Sequence, residues 1–108
     1  MKKKQAIRQK FRDEVFKRDN YTCQAPGCGK KGSVETLDAH HIVDRTEMPN
    51  GGYVKENGIT LCKDGCHERA ELYHQSGGKE WHEGMHPLDF YWKLGLTYLD
   101  AERASERL

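Results

Sequence analysis

The sequence has no long apolar run. None of its 108 residues sits in a stretch near membrane-spanning length, and the opening MKKKQAIRQKFRDEVFKRDN lacks the apolar core and small-residue cleavage site of a secretory signal. Internal repeats and low-complexity segments are missing too, which argues against a repeat array. Apolar residues amount to only 35% and aromatics to 9%. A chain this short leaves roughly a third or more of its unfolded surface exposed on folding, so a single domain over 1–108 needs a staple. Four cysteines are available for it, as disulfides or as a metal site, and compartment decides between them. Nothing points to export, so the reading is a soluble cytoplasmic protein with reduced thiols and no membrane partner.

What is present is unevenly spread. The formal net charge is +1, yet Lys2, Lys3, Lys4, Arg8, Lys10, Arg12, Lys17 and Arg18 crowd the first eighteen residues against only Asp13 and Glu14. A basic arm of this kind is a usual footprint of polyphosphate contact. The plain alternative is a solubilising helix face.

Three segments follow from periodicity. In 1–20, Ile7, Phe11, Val15 and Phe16 recur every three to four residues and predict an amphipathic helix from Lys4 to Arg18. In 21–76, Pro26 and Gly27 make a tight turn between two cysteines, Leu37 to Val43 and Ile59 to Cys62 read as short strands, Asp44 to Gly58 has loop composition, and Cys66 to Gln75 reads as helix. In 77–108, Pro87 suits a first helical turn that Gly95 closes, and Thr97 with Asp100 resembles a capping box for a last helix to about Arg107. Leu88, Tyr91 and Trp92 are expected in the core. The fold class is α+β.

Cys23 and Cys28 are separated by four residues and Cys62 and Cys66 by three, gaps that let two thiolates of one knuckle reach a tetrahedral ion. Two knuckles make a structural zinc site that pins the N-terminal turn to the second strand and the helix after it.

His40 and His41 are adjacent on a strand and so point to opposite sides. They divide the work: one suits a hydrolytic metal, and the other, with an ordinary pKa near 6.5, suits proton abstraction from water. His67, at the start of the helix after the second strand, is the natural second ligand. Asn57 offers a carbonyl that can hold a histidine N–H and fix its tautomer. Glu71 and His74 share the helix face of His67 and are possible further ligands, although a solvated face is the plainer reading.

The runs RDNYTCQAPGC, AHHI and NGITLC, the glycine pair before Asn57, and the adjacent Cys66 and His67 resemble the HNH endonuclease family, over residues from about Arg18 to Glu71. The cysteine gaps depart from the commonest gap of two. The resemblance implies a ββα-metal (His-Me finger) core with a four-cysteine zinc site. It implies that His41 is the general base, that His40 and His67 are metal ligands, and that Asn57 orients the base. A structural Zn²⁺ and a catalytic Mg²⁺, Mn²⁺, Ni²⁺ or Zn²⁺ are the expected cofactors. Double-stranded DNA is the expected partner, gripped by Lys2, Lys3, Lys4, Arg8, Arg12 and Arg45, and hydrolysis leaves 5′-phosphate and 3′-hydroxyl ends. The alternative is a zinc-dependent nucleic-acid-binding module without catalysis. The small architecture and aromatic tail also resemble phage-encoded HNH proteins linked to DNA packaging, which would act in the bacterial host cytoplasm. No dimer surface is legible.

Overall fold

Phe11, Val15 and Phe16 are buried along one side of the first helix, α1 (Lys2–Arg18), while Lys3, Lys4, Arg8, Lys10, Arg12 and Lys17 are exposed. The structure is a computed structural model describing residues 2–108. Met1 and the side chain of Lys2 lie outside the described part, and with them the expected DNA contact of Lys2. Helix α1 ends in a clamp: Arg18 bridges both carboxylate oxygens of Asp19 at 2.8 and 2.9 Å and donates to the carbonyls of Lys55 and Gly58, while Asp19 accepts the Thr60 amide at 3.0 Å. Arg18, counted above with the basic arm, is thus used to fasten the helix to a strand.

Strands β1 (Leu37–His41) and β2 (Gly58–Cys62) form an antiparallel pair in which His40 faces Ile59 and His41 faces Gly58. Helix α1 lies so close to the start of β2 that a Cβ at Gly58 would sit 2.5 Å from Val15 and 2.6 Å from Phe11. Only glycine permits that approach. The segment between the strands, where loop composition is expected, contains two short 3₁₀ turns, Arg45–Glu47 and Lys55–Asn57, on either side of a kinked turn at Pro49–Gly52 in which Asn50 and Gly51 are left-handed. Helix α2 (Cys66–Gln75) follows β2 and covers the opposite face of the pair.

The C-terminal layer is α3 (Pro87–Leu94) and α4 (Tyr98–Glu106). Gly95 closes α3 in the left-handed conformation and Thr97 with Asp100 forms the expected capping box; His86 with Asp89 makes a second one. One expectation for this layer fails. Pro87, Phe90 and Tyr91 turn inward, whereas Leu88 is 64% and Trp92 85% exposed. At about 100° per residue the inward face of a two-turn helix centres on 90 and 91, which leaves 88 and 92 on the outer side. The layer braces the inter-strand segment through Ser105, which donates to the Pro49 carbonyl and accepts from the Gly52 amide, while its own carbonyl accepts from Asn50. The result is a mixed α+β fold around a two-stranded sheet. Among the described residues no helix is long and apolar enough to cross a membrane.

Candidate active site

The four sulfurs converge. Cys23, Cys28, Cys62 and Cys66 carry free thiols whose Sγ atoms all lie within 4.8 Å of one another. Thiolates at about 2.3 Å around a tetrahedral ion are separated by about 3.8 Å, and the Cys28 and Cys62 sulfurs are 3.8 Å apart. The first knuckle reaches this point because the Cys23 amide bonds the Lys30 carbonyl at 2.8 Å and the turn at Pro26 brings the Cys28 amide to Ala25. The Lys30 backbone draws the Cys28 thiol down to about 7, while burial pushes Cys62 up to about 12. The donor set and spacing fit zinc.

A second cluster lies between the sheet and α2. Strand β1 supplies His40, whose side chain is 1% exposed, and α2 supplies His67 and Glu71 from adjacent turns of one face. Oε1 of Glu71 sits 3.3 Å from Nδ1 of His40 and 3.1 Å from Nε2 of His67. Donors around one ion at about 2.0–2.2 Å lie about 3.0–3.5 Å apart, so the three side chains fit a divalent cation. Nδ1 of His40 is buried and the 3.3 Å approach of Glu71 is too poorly aligned to satisfy it as a hydrogen bond, which is costly unless something else takes its lone pair. Burial lowers the pKa of His40, and the facing rings of His40 and His67 hold the Glu71 carboxyl well below its ordinary value. His67 is raised, first by Glu71 and then by Asp38, whose Oδ2 is 2.7 Å from its Nδ1.

Glu71 is therefore not on a solvated face. The i, i+4 spacing from His67 is the signal that marks it, and the burial of His40 opposite is what gives that spacing a use. His74 also leaves the solvated face: its Nε2 is 3.1 Å from the carbonyl of His41 and its ring packs 5.4 Å from that of His40.

His41 lies on the other side of the strand, as alternation requires. Its ring stacks on Phe11 at 4.7 Å and meets the edge of Tyr53 at 4.6 Å. Burial lowers its pKa to about 4, so the imidazole is neutral at pH 7. It shares a 210 Å³ cavity along β1 with Asp38, Arg8, Arg12 and Lys63. Asp38 thus links the two sides of the strand, lining the cavity of His41 while bonding His67.

Asn57 does not hold a histidine. Its Oδ1 accepts from the Val43 amide at 3.0 Å and the Tyr91 hydroxyl at 2.8 Å, and its Nδ2 donates to the carbonyls of Val43 and Gly52. With its acceptor filled, the expected bond to a ring N–H is replaced by a brace on the backbone that leaves β1. The carbonyl of Asn57 adds to it by accepting from the Ile42 amide at 2.9 Å.

Four expected cations gather at one groove. Lys3, Lys4, Arg8 and Arg45 line a 720 Å³ depression with Tyr53, and Arg8 and Tyr53 also line the cavity of His41. Arg8 stands 5.5 Å over the Tyr53 ring, and Arg45 faces the Tyr53 hydroxyl. Arg12 belongs to the smaller cavity.

A family model described as HNH endonuclease matches residues 23–71, which take in both clusters and His41. No curated protein and no solved structure matches the chain.

Proposed function

We propose, from the match of residues 23–71 to an HNH endonuclease family model, that the chain hydrolyses DNA phosphodiester bonds with a divalent ion and a histidine general base. The observation that carries this reading is the cluster of His40, His67 and Glu71, three donors within 4.8 Å of one another, in which the buried Nδ1 of His40 has only the Glu71 carboxylate beside it, at 3.3 Å. A module that only binds nucleic acid would use the four cysteines and the basic groove but has no need of these donors.

A phosphodiester resists water because its anionic oxygens repel the nucleophile and its leaving alkoxide is poor. His40, His67 and Glu71 would hold a divalent ion, which when bound would supply neutralisation of the developing charge and stabilisation of the departing 3′ oxygen. His41 accepts the proton of the attacking water. The ring is neutral before reaction because burial disfavours its charged form, and an anionic phosphate beside it raises its basicity. Phe11 and Tyr53 hold the ring plane from two sides. Asn57 acts at one remove by fixing Ile42 and Val43, the residues directly after the base. Lys3, Lys4, Arg8, Arg12 and Arg45 take phosphates of double-stranded DNA along the groove that leads to His41. The products carry 5′-phosphate and 3′-hydroxyl ends, as in the family. The likeness to phage-encoded proteins of DNA packaging rests on size and aromatic tail alone and adds no substrate.

Nicking of supercoiled plasmid across Mg²⁺, Mn²⁺, Ni²⁺ and Zn²⁺ tests the proposal. Cleavage should stop in EDTA and fall about 10²- to 10⁴-fold in His41→Ala, the range general-base catalysis supplies. Cutting at the parental rate by His41→Ala would remove that residue from the chemistry.

A further inference from the structure

The shortest polar contact in the His40, His67 and Glu71 cluster leads out of it. Oδ2 of Asp38 lies 2.7 Å from Nδ1 of His67, against 3.1 and 3.3 Å for the contacts to Glu71 inside the cluster. We infer that Asp38 is a positioning residue for the ion site: its carboxylate holds the Nδ1–H of His67 so that Nε2 faces the space shared with His40 and Glu71. This rests on the reading of His67 as an ion ligand and extends it to a residue outside the group of ion donors.

Three observations support it. Asp38 and His40 are two apart on β1 and therefore share a face, and His67 and Glu71 are four apart on α2 and share another. One strand and one helix thus present an aspartate and a histidine to a histidine and a glutamate. Asp38 also has no competing use, for among the described residues its carboxylate makes no other side-chain hydrogen bond and pairs with no lysine or arginine. Nor does Asp38 belong to the group of donors that converge on a common point.

The chemistry explains why such a residue is useful. A neutral imidazole has one N–H and one lone pair, and only the lone pair binds a cation. A carboxylate on Nδ1 selects the tautomer with Nε2 free, fixes the ring's rotation and raises the basicity of the ligating nitrogen. Without it, the ring of His67 can rotate or present the wrong nitrogen to the site. The distance is within the range of a charge-assisted hydrogen bond.

The test uses the full chain with zinc retained in the cysteine site, titrated with Ni²⁺ in a calorimeter as wild type, Asp38→Ala, Asp38→Asn and His67→Ala. Asp38→Ala should weaken Ni²⁺ binding about 10- to 100-fold, with Asp38→Asn between it and the wild type because the amide oxygen still accepts a hydrogen bond. Plasmid nicking by Asp38→Ala should recover towards the wild-type rate as Ni²⁺ is raised, which a purely structural defect would not allow. Zinc content and melting temperature serve to show that each variant is folded. Should His67→Ala lose Ni²⁺ binding while Asp38→Ala binds like the wild type, Asp38 positions nothing and this inference falls alone. If His67→Ala itself binds like the wild type, the assignment of the ion site is the one that fails.

Discussion

Tyr91 donates its hydroxyl to Oδ1 of Asn57 across 2.8 Å, joining the C-terminal helical layer to the asparagine that precedes β2. Both side chains are buried, and Asn57 is wholly so. Tyr91→Phe should cost about 1 kcal/mol, the usual worth of one such bond, since the Val43 amide still satisfies the oxygen. Asn57→Ala strands the Val43 amide and carbonyl together with the Tyr91 hydroxyl, and about 3 kcal/mol or more should be lost. Chemical denaturation of the two variants checks the order. A well-folded Asn57→Ala of parental stability would show that the brace is dispensable.

DNA binding should depend steeply on salt. Each phosphate contact contributes about 0.9 to the slope of log K against log salt on duplex DNA, so replacing Lys3, Lys4 and Arg8 together by alanine should flatten it by up to about 3. Fluorescence anisotropy with a labelled duplex at a series of salt concentrations measures this. An unchanged slope would mean that the groove does not follow the backbone.

Acid should destabilise the protein when no ion occupies the His40, His67 and Glu71 cluster. Burial lowers the folded-state pKa of His40 and of His41, the latter to about 4, from the ordinary 6.5. Such groups contribute stability that is complete above pH 6.5 and is lost as pH falls, for His41 down to about 4. Glu71, also lowered, adds a further loss below its ordinary 4.5. His67 has the opposite sign: it is raised, so its contribution is complete below 6.5 and fades as pH rises past its folded value. Urea unfolding between pH 4.5 and 7.5 should therefore show stability falling on the acid side, less steeply in His41→Gln. Parallel curves for the variant and wild type would mean that His41 is not buried as described.

Removing zinc should undo the first knuckle. Residues 21–36 contribute few buried side chains beyond Cys23 and Ala25 and depend on the sulfurs for their position. The purified protein should hold one tightly bound zinc at the cysteines, and Cys66→Ser should lower both zinc content and melting temperature. Atomic absorption and thermal unfolding read both. Oxidised cysteine pairs without zinc would contradict the site.

The legible part of this fold was local. Thr97 with Asp100, Gly95 after its helix and the span Cys66–Gln75 are fixed by neighbours in sequence, and all occur as expected. The four cysteines were legible because metal chemistry restricts which residues meet, whereas the choice of His40 over His41 as the partner of His67 came from the family resemblance and not from spacing. What was not legible depends on contacts between distant segments. The side-chain amide oxygen of Asn57 accepts from Tyr91, thirty-four residues away, and Ser105 closes on Pro49 from fifty-six residues away. Neither has a spacing rule. Glu71 was ambiguous for the same reason, since its i, i+4 relation to His67 acquires meaning only when His40 is found opposite.

Phe11 touches two things at once. Its ring backs the imidazole of His41 at 4.7 Å, and it packs where a Cβ on Gly58 would find no room. The same helix carries Lys3, Lys4, Arg8 and Arg12. The cationic groove and the packing of His41 therefore share one helix, so exchanging it for another cationic segment would also remove the wall behind that imidazole.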